Sequence, residues 1–109
     1  MTNAYNKLVR DKIPEIIEAS GNSFKTRILS EEEYIKMLDD KLNEECAEYQ
    51  ADKNIEELAD MLEVIYAIAK TKGASIEKLE KVRLEKSEKR GGFDGRILLI
   101  ETLVNEAEK

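Results

Sequence analysis

The chain has no histidine and no tryptophan, one cysteine, one proline and five glycines among its 109 residues. Without histidine, the usual zinc ligand sets and every histidine-based catalytic triad are excluded. With Cys46 as the single cysteine, no intrachain disulfide can form. The chain also lacks long apolar runs. The longest, Val64–Ala69, is far too short to span a bilayer, and MTNAYNKLVRDKIPEII has no apolar core of the kind that a signal peptide carries. A cytoplasmic location without a membrane partner is the resulting expectation. Any catalysis must draw on carboxylates, lysine, arginine, tyrosine or a hard metal ion.

Charge is abundant and mixed. Eighteen basic residues against 24 acidic ones leave a formal net charge of −6, and the two signs alternate along the chain instead of gathering in tails. That distribution argues against a generic nucleic-acid binder but leaves room for a local basic site. The length fits a single domain over residues 1–109, one in which helices apolar on more than one face would signal assembly with further copies.

Punctuation residues mark out the helices. Pro14 opens PEIIEASG, a short helix begun with proline in its first turn and stopped near Gly21. Ser30 followed by Glu33 is a capping box, which predicts a long helix over about Glu31–Ala51. Asp52, Lys53 and Asn54 make a brief connection, with Asp52 or Asn54 available to cap a third helix over Ile55–Thr71. So short a loop predicts an antiparallel pair. Gly73 ends the third helix, Ser75 caps a fourth that runs to about Arg90, and Gly91-Gly92 stops it. FKTRIL, residues 24–29, alternates weakly with period two, and ILLI, residues 97–100, is either its strand partner or the start of a last helix. The predicted fold is all-α, a bundle of four main helices with a small two-stranded accessory hairpin as an option.

Helical periodicity of about 100° per residue then sorts the acids by face. On the second helix Tyr34, Leu38, Leu42 and Tyr49 define an apolar stripe, and Glu45 falls within about 20° of Leu38. Glu48 lies at the border of that stripe, beside Lys41. The third helix is apolar on two sides: Ile55, Leu58, Leu62, Ile65, Tyr66 and Ala69 on one, Met61, Val64, Ala67 and Ile68 on the other. Its solvated stripe is Glu56, Glu63 and Lys70. Glu57 and Asp60 instead flank the second apolar side, where an unpartnered carboxylate costs on the order of several kcal/mol in desolvation.

Taken singly, each acid reads as an ordinary solvated helix charge. Together, two carboxylates three apart on one helix and two more three apart on its antiparallel neighbour form an oxygen-donor cluster between helices. All-carboxylate ligation suits magnesium or manganese, and magnesium commonly completes its octahedron with waters and substrate phosphates. A di-iron bundle would ordinarily need Glu-x-x-His motifs. A basic counterpart follows on the fourth helix, where the stripe begun by Ile76 and Leu79 continues as Arg83, Lys86 and Arg90. Buried, such cations suit a phosphate chain; on a wet surface they pair with neighbouring glutamates or favour the helix C-terminus. Lys7, Arg10 and Lys12 form a second basic group ahead of the first helix.

EECAE at 44–48 followed by ELAD at 57–60 resembles the EExxE…ExxD signature of the MazG-like, all-α nucleoside triphosphate pyrophosphohydrolase superfamily. YNKLVRDKIPEII, ELADMLEVIYAI and KSEKRGGF together resemble a subgroup of predicted house-cleaning enzymes for noncanonical nucleotides, and the resemblance covers most of the chain. It implies a helical bundle assembled as a homodimer or homotetramer, with Mg²⁺ (or Mn²⁺) held by Glu45, Glu48, Glu57 and Asp60. Glu44 would be a neighbouring acid that orients water or a further ion; by the chemistry of the reaction, an unliganded acid, Glu44 or one of the four, is the candidate general base. Arg83, Lys86 and Arg90 match basic positions of the subgroup and would contact phosphates; Lys7 and Arg10, read from the sequence alone, either reach the same phosphates or offset surface acid. The implied reaction is hydrolysis of a nucleoside triphosphate to monophosphate and pyrophosphate. A phosphoribosyl-ATP pyrophosphohydrolase and a non-catalytic nucleotide-binding module are the alternatives.

Overall fold

The computed structural model describes residues 2–104. Four α-helices follow one another: α1 (Ile13–Ala19), α2 (Glu31–Asp52), α3 (Ile55–Thr71) and α4 (Ile76–Arg90). Their limits follow from local chemistry. Pro14 sits in the first turn of α1, where its missing N–H costs nothing. At the start of α2 the Ser30 hydroxyl accepts from the Glu33 N–H at 3.2 Å, and the Glu33 carboxylate accepts in return from the Ser30 N–H. The same carboxylate is gripped by both terminal nitrogens of Arg27, at 2.7 and 3.3 Å, so the extended segment before α2 is tied to its first turn.

The turn between α2 and α3 uses two residues. Lys53 adopts a left-handed conformation (φ 56°) and donates its N–H to the Tyr49 carbonyl at 2.7 Å, which closes α2. Asn54 then accepts from the Glu57 N–H at 3.0 Å and opens α3. That turn folds α3 back along α2, and α3 in turn packs against α4. Leu38, Val64 and Ala69 are the buried apolar side chains among the described residues, and Glu45 is buried with them. α1 makes no close backbone approach to another helix, and α2 and α4 do not meet.

The chain is extended rather than compact. Its radius of gyration is 20.3 Å, against about 13 Å expected for a compact domain of this length. Its accessible surface is 10184 Å², where a compact monomer of this mass would expose about 6,200 Å². Much of the excess is apolar: Ile55, Leu58 and Leu62 on α3, and Ile97–Ile100, Leu103 and Val104 beyond α4, are all exposed.

The optional hairpin is absent among the described residues: 24–29 and 97–100 form no strand, and no last helix begins at 97. An isolated two-stranded hairpin is marginal in water. A run of four apolar residues also needs cover on both faces, and the surrounding chain supplies none. No helix among the described residues is long and apolar enough to cross a membrane.

Candidate functional site

The antiparallel packing of α2 and α3 brings Glu45 to the acidic pair of α3, whereas Glu48, expected in the same cluster, is exposed and joins only the acids of α2. One carboxylate oxygen from each of Glu45, Glu57 and Asp60 lies within 4.8 Å of the others, and the same holds for Glu44, Glu45 and Glu48. Glu45 belongs to both groups, as its position near the centre of the α2 stripe requires. It is 6% exposed, Glu57 and Asp60 are half-buried, and Glu48 is exposed. Glu56 and Glu63, assigned to the solvated stripe, are exposed.

Two oxygens in the cluster, Glu45 Oε2 and Glu57 Oε2, are buried and accept no hydrogen bond among the described residues. Burial, and secondarily repulsion from Glu48, push the Glu45 carboxyl above the usual carboxylate range, with Lys41 opposing. Burial also raises Glu57, helped by the negative charges of Glu48, Asp52 and Asp60. Buried carboxylate oxygens without donors are costly. Converging acids that resist ionisation are a common signature of a functional site.

Three cations border the cluster. Lys41, one turn before Glu45 on α2, places its ammonium 3.4 Å from Glu45 Oε1 and 3.5 Å from Glu44 Oε2, with its side chain 18% exposed. Sequence reasoning noted its position but gave it no role; the signal was the i, i+4 spacing to Glu45 on an inward face. Lys7 lies 3.1 Å from Glu44 Oε1 and Arg10 2.7 Å from Asp60 Oδ1. The hydrogen bond from Lys7 is the main reason that the Glu44 carboxyl is held below its usual range. The segment ahead of α1 thus reaches the cluster, led in by the turn in which the Arg10 carbonyl accepts from the Ile13 N–H at 3.1 Å.

The basic stripe of α4 behaves otherwise. Arg83, Lys86 and Arg90 are exposed, and Arg83 is forked onto Glu80 one turn earlier. Lys86 and Arg90 line a shallow groove of about 460 Å³ with Phe93. Because α4 packs on α3 alone, none of the three is paired with the α2–α3 acids within one chain. The buried version of this stripe is corrected: cationic heads are kept in water unless a partner offsets their desolvation, and the one ion pair of the stripe among the described residues is Arg83 with Glu80.

The residues fit a hard divalent cation. Glu45, Glu57 and Asp60 offer oxygens at mutual distances that one ion can bridge, two of the cluster's oxygens lack donors, and all-oxygen sets suit magnesium and manganese.

No known family profile matches the chain, and no solved structure matches it. The chain is similar to an uncharacterized protein of Mycolicibacterium smegmatis, 56% identical over 45 residues. That stretch is 41% of this chain and 46% of the relative, so the chain spans less than half the length of the curated protein it matches.

Proposed function

We propose that the chain is a MazG-like nucleoside triphosphate pyrophosphohydrolase, which hydrolyses a noncanonical nucleoside triphosphate to the monophosphate and pyrophosphate with the aid of magnesium. The observation that carries this reading is Glu45. It is buried between two helices, it shares the space with Glu57 and Asp60, and one of its oxygens has no donor. The resemblance of EECAE and ELAD to the superfamily's signature points the same way.

Glu45, Glu48, Glu57 and Asp60 would hold Mg²⁺, with Mn²⁺ as a substitute. The ion supplies Lewis-acid polarisation of phosphate oxygens and offsets their charge. The chain's own residues do the rest. Lys7 and Arg10, now on Glu44 and Asp60, stand where phosphate oxygens would arrive beside the acids and can transfer their hydrogen bonds to them. Lys41 keeps Glu44 and Glu45 oriented. Attack of water on a phosphorus breaks one P–O bond of the anhydride and releases pyrophosphate. The water's proton passes to a carboxylate of the cluster, either Glu44 or an acid not engaged as a ligand.

The protein would work as a homodimer or homotetramer in the cytoplasm; its large exposed apolar surface supports assembly. Pyrophosphate release is the test, measured with Mg²⁺ or Mn²⁺ across standard, deoxy and damaged nucleoside triphosphates and phosphoribosyl-ATP. Turnover that is lost in Glu45→Gln and Asp60→Asn supports the reading. Absence of metal-dependent turnover across the whole panel overturns it.

A further inference from the structure

We propose that residues 97–104 are an assembly arm, which lies along the exposed apolar line of α3 in a second copy of the chain. This rests on the homo-oligomer reading given above and names the segment that makes the contact.

The arm, ILLIETLV, is apolar at six of its eight positions, and those side chains are between 74% and 90% exposed. It follows a turn in which Arg96 adopts φ 56° and donates its N–H to the Phe93 carbonyl at 3.1 Å. Hydrocarbon held in water along an eight-residue stretch is unfavourable by area and is rare on monomers.

The receiving surface is on α3. Ile55, Leu58 and Leu62 fall on one line of the helix and are 75%, 42% and 44% exposed, although the opposite side of α3 is packed. The exposed line from Ile55 to Leu62 runs about 10 Å along the helix at roughly 1.5 Å per residue, room for about three residues of the arm laid out at roughly 3.3 Å each.

A second copy is the occupant because every chain carries both parts, arm and line, so one two-fold axis satisfies two of each. The surface available is ample. The chain exposes about 4,000 Å² more than a compact monomer of its mass, and each partner in an ordinary interface buries about 800 Å². The charges agree as well. α4 carries exposed cations and the α2–α3 pair an acidic cluster that do not meet within one chain, and a second copy offers each the opposite sign.

Two measurements test the arm. Light scattering compares the full chain with Leu99→Asp/Ile100→Asp, a variant altered only at exposed positions, so unchanged circular dichroism is expected. The full chain should be an oligomer, and the variant should dissociate with at least a tenfold weaker association. In a Cys46→Ser background, a chain with Leu58→Cys is mixed with a chain with Leu99→Cys under mild oxidation. A disulfide-linked species of twice the chain mass should form in the mixture and in neither chain alone. An arm variant that keeps the full mass, or a mixture without the cross-link, overturns the arm while leaving the homo-oligomer reading intact. A full chain that is a monodisperse monomer overturns both.

Discussion

The Arg10 guanidinium lies 2.7 Å from Asp60 Oδ1, an ion pair that joins residues fifty positions apart. It joins the segment ahead of α1 to the acidic face of α3. On the proposed function, a metal ion at the cluster would compete with Arg10 for the Asp60 carboxylate until a phosphate took the guanidinium. Replacing Arg10 by alanine should tighten Mg²⁺ binding in the absence of nucleotide, measured by calorimetry. It should also raise KM for the triphosphate about tenfold, the usual scale for a lost charged hydrogen bond.

Glu45 gives a second prediction, because it is shared by both groups of acids. Glu45→Gln removes a buried charge without changing shape, so the metal-free variant should unfold at a temperature no lower than the parent. In the parent, Mg²⁺ at a hundredfold excess over its Kd should add about 2.7 kcal/mol of stability. The variant should lose most of that gain. Its rate of pyrophosphate release should fall by on the order of 100-fold or more, since even outer partners of metal ligands cost 10–100-fold.

Lys41 separates charge balance from ligation. Lys41→Met takes away the ammonium beside Glu44 and Glu45, leaving the acids closer to mutual repulsion. The metal-free protein should melt lower than the parent, and added Mg²⁺ should recover more stability in the variant than in the parent. Equal gains in thermal scans would contradict this.

The pH dependence has opposing parts. Glu45 and Glu57 have folded-state values raised above 4.5, chiefly by burial. Their contribution to stability is present below 4.5 and is lost as pH rises through the raised values. Glu44 is lowered by Lys7, and Glu33 is lowered to about 2 by Arg27 and the capping box. Their contribution is present above 4.5 and is lost as pH falls, for Glu33 through about 2. The metal-free protein should therefore be most stable in mildly acid solution and lose stability toward neutral pH. Saturating Mg²⁺ should remove the loss on the neutral side, since metal binding favours the ionised acids. Thermal melts between pH 3 and 8, with and without Mg²⁺, check both arms.

Ser30 offers a control remote from the cluster. Ser30→Ala deletes the acceptor for the Glu33 N–H and should lower unfolding stability by about 1 kcal/mol. Mg²⁺ affinity, measured on folded protein, should be unchanged.

The helices were legible because their signals are local. The Ser30–Glu33 capping box, the short Lys53-Asn54 connection, the Ser75 cap and Gly91 each act within a turn of the residues that they limit. Periodicity likewise placed Glu45, Glu57 and Asp60 on facing sides, because a helix converts residue number into direction. Glu56 and Glu63 separated from them by the same arithmetic. Lys41 was missed because a lysine one turn from two glutamates reads as a routine surface pair until burial is known.

Tertiary structure decided what no short window holds. Lys7 and Arg10 reach acids 37 and 50 residues away, a matter of where the chain returns. Arg83, Lys86 and Arg90 extend an apolar stripe in sequence, yet they stay in solvent because α4 packs on α3 alone. The optional hairpin is absent for a related reason: alternation shows that a segment can pair, but pairing needs a neighbour to cover its faces. By itself the sequence determined the helices and the direction of their acids, since capping and periodicity are local. Which cations meet those acids, and which apolar surfaces remain exposed, followed only from how the helices pack.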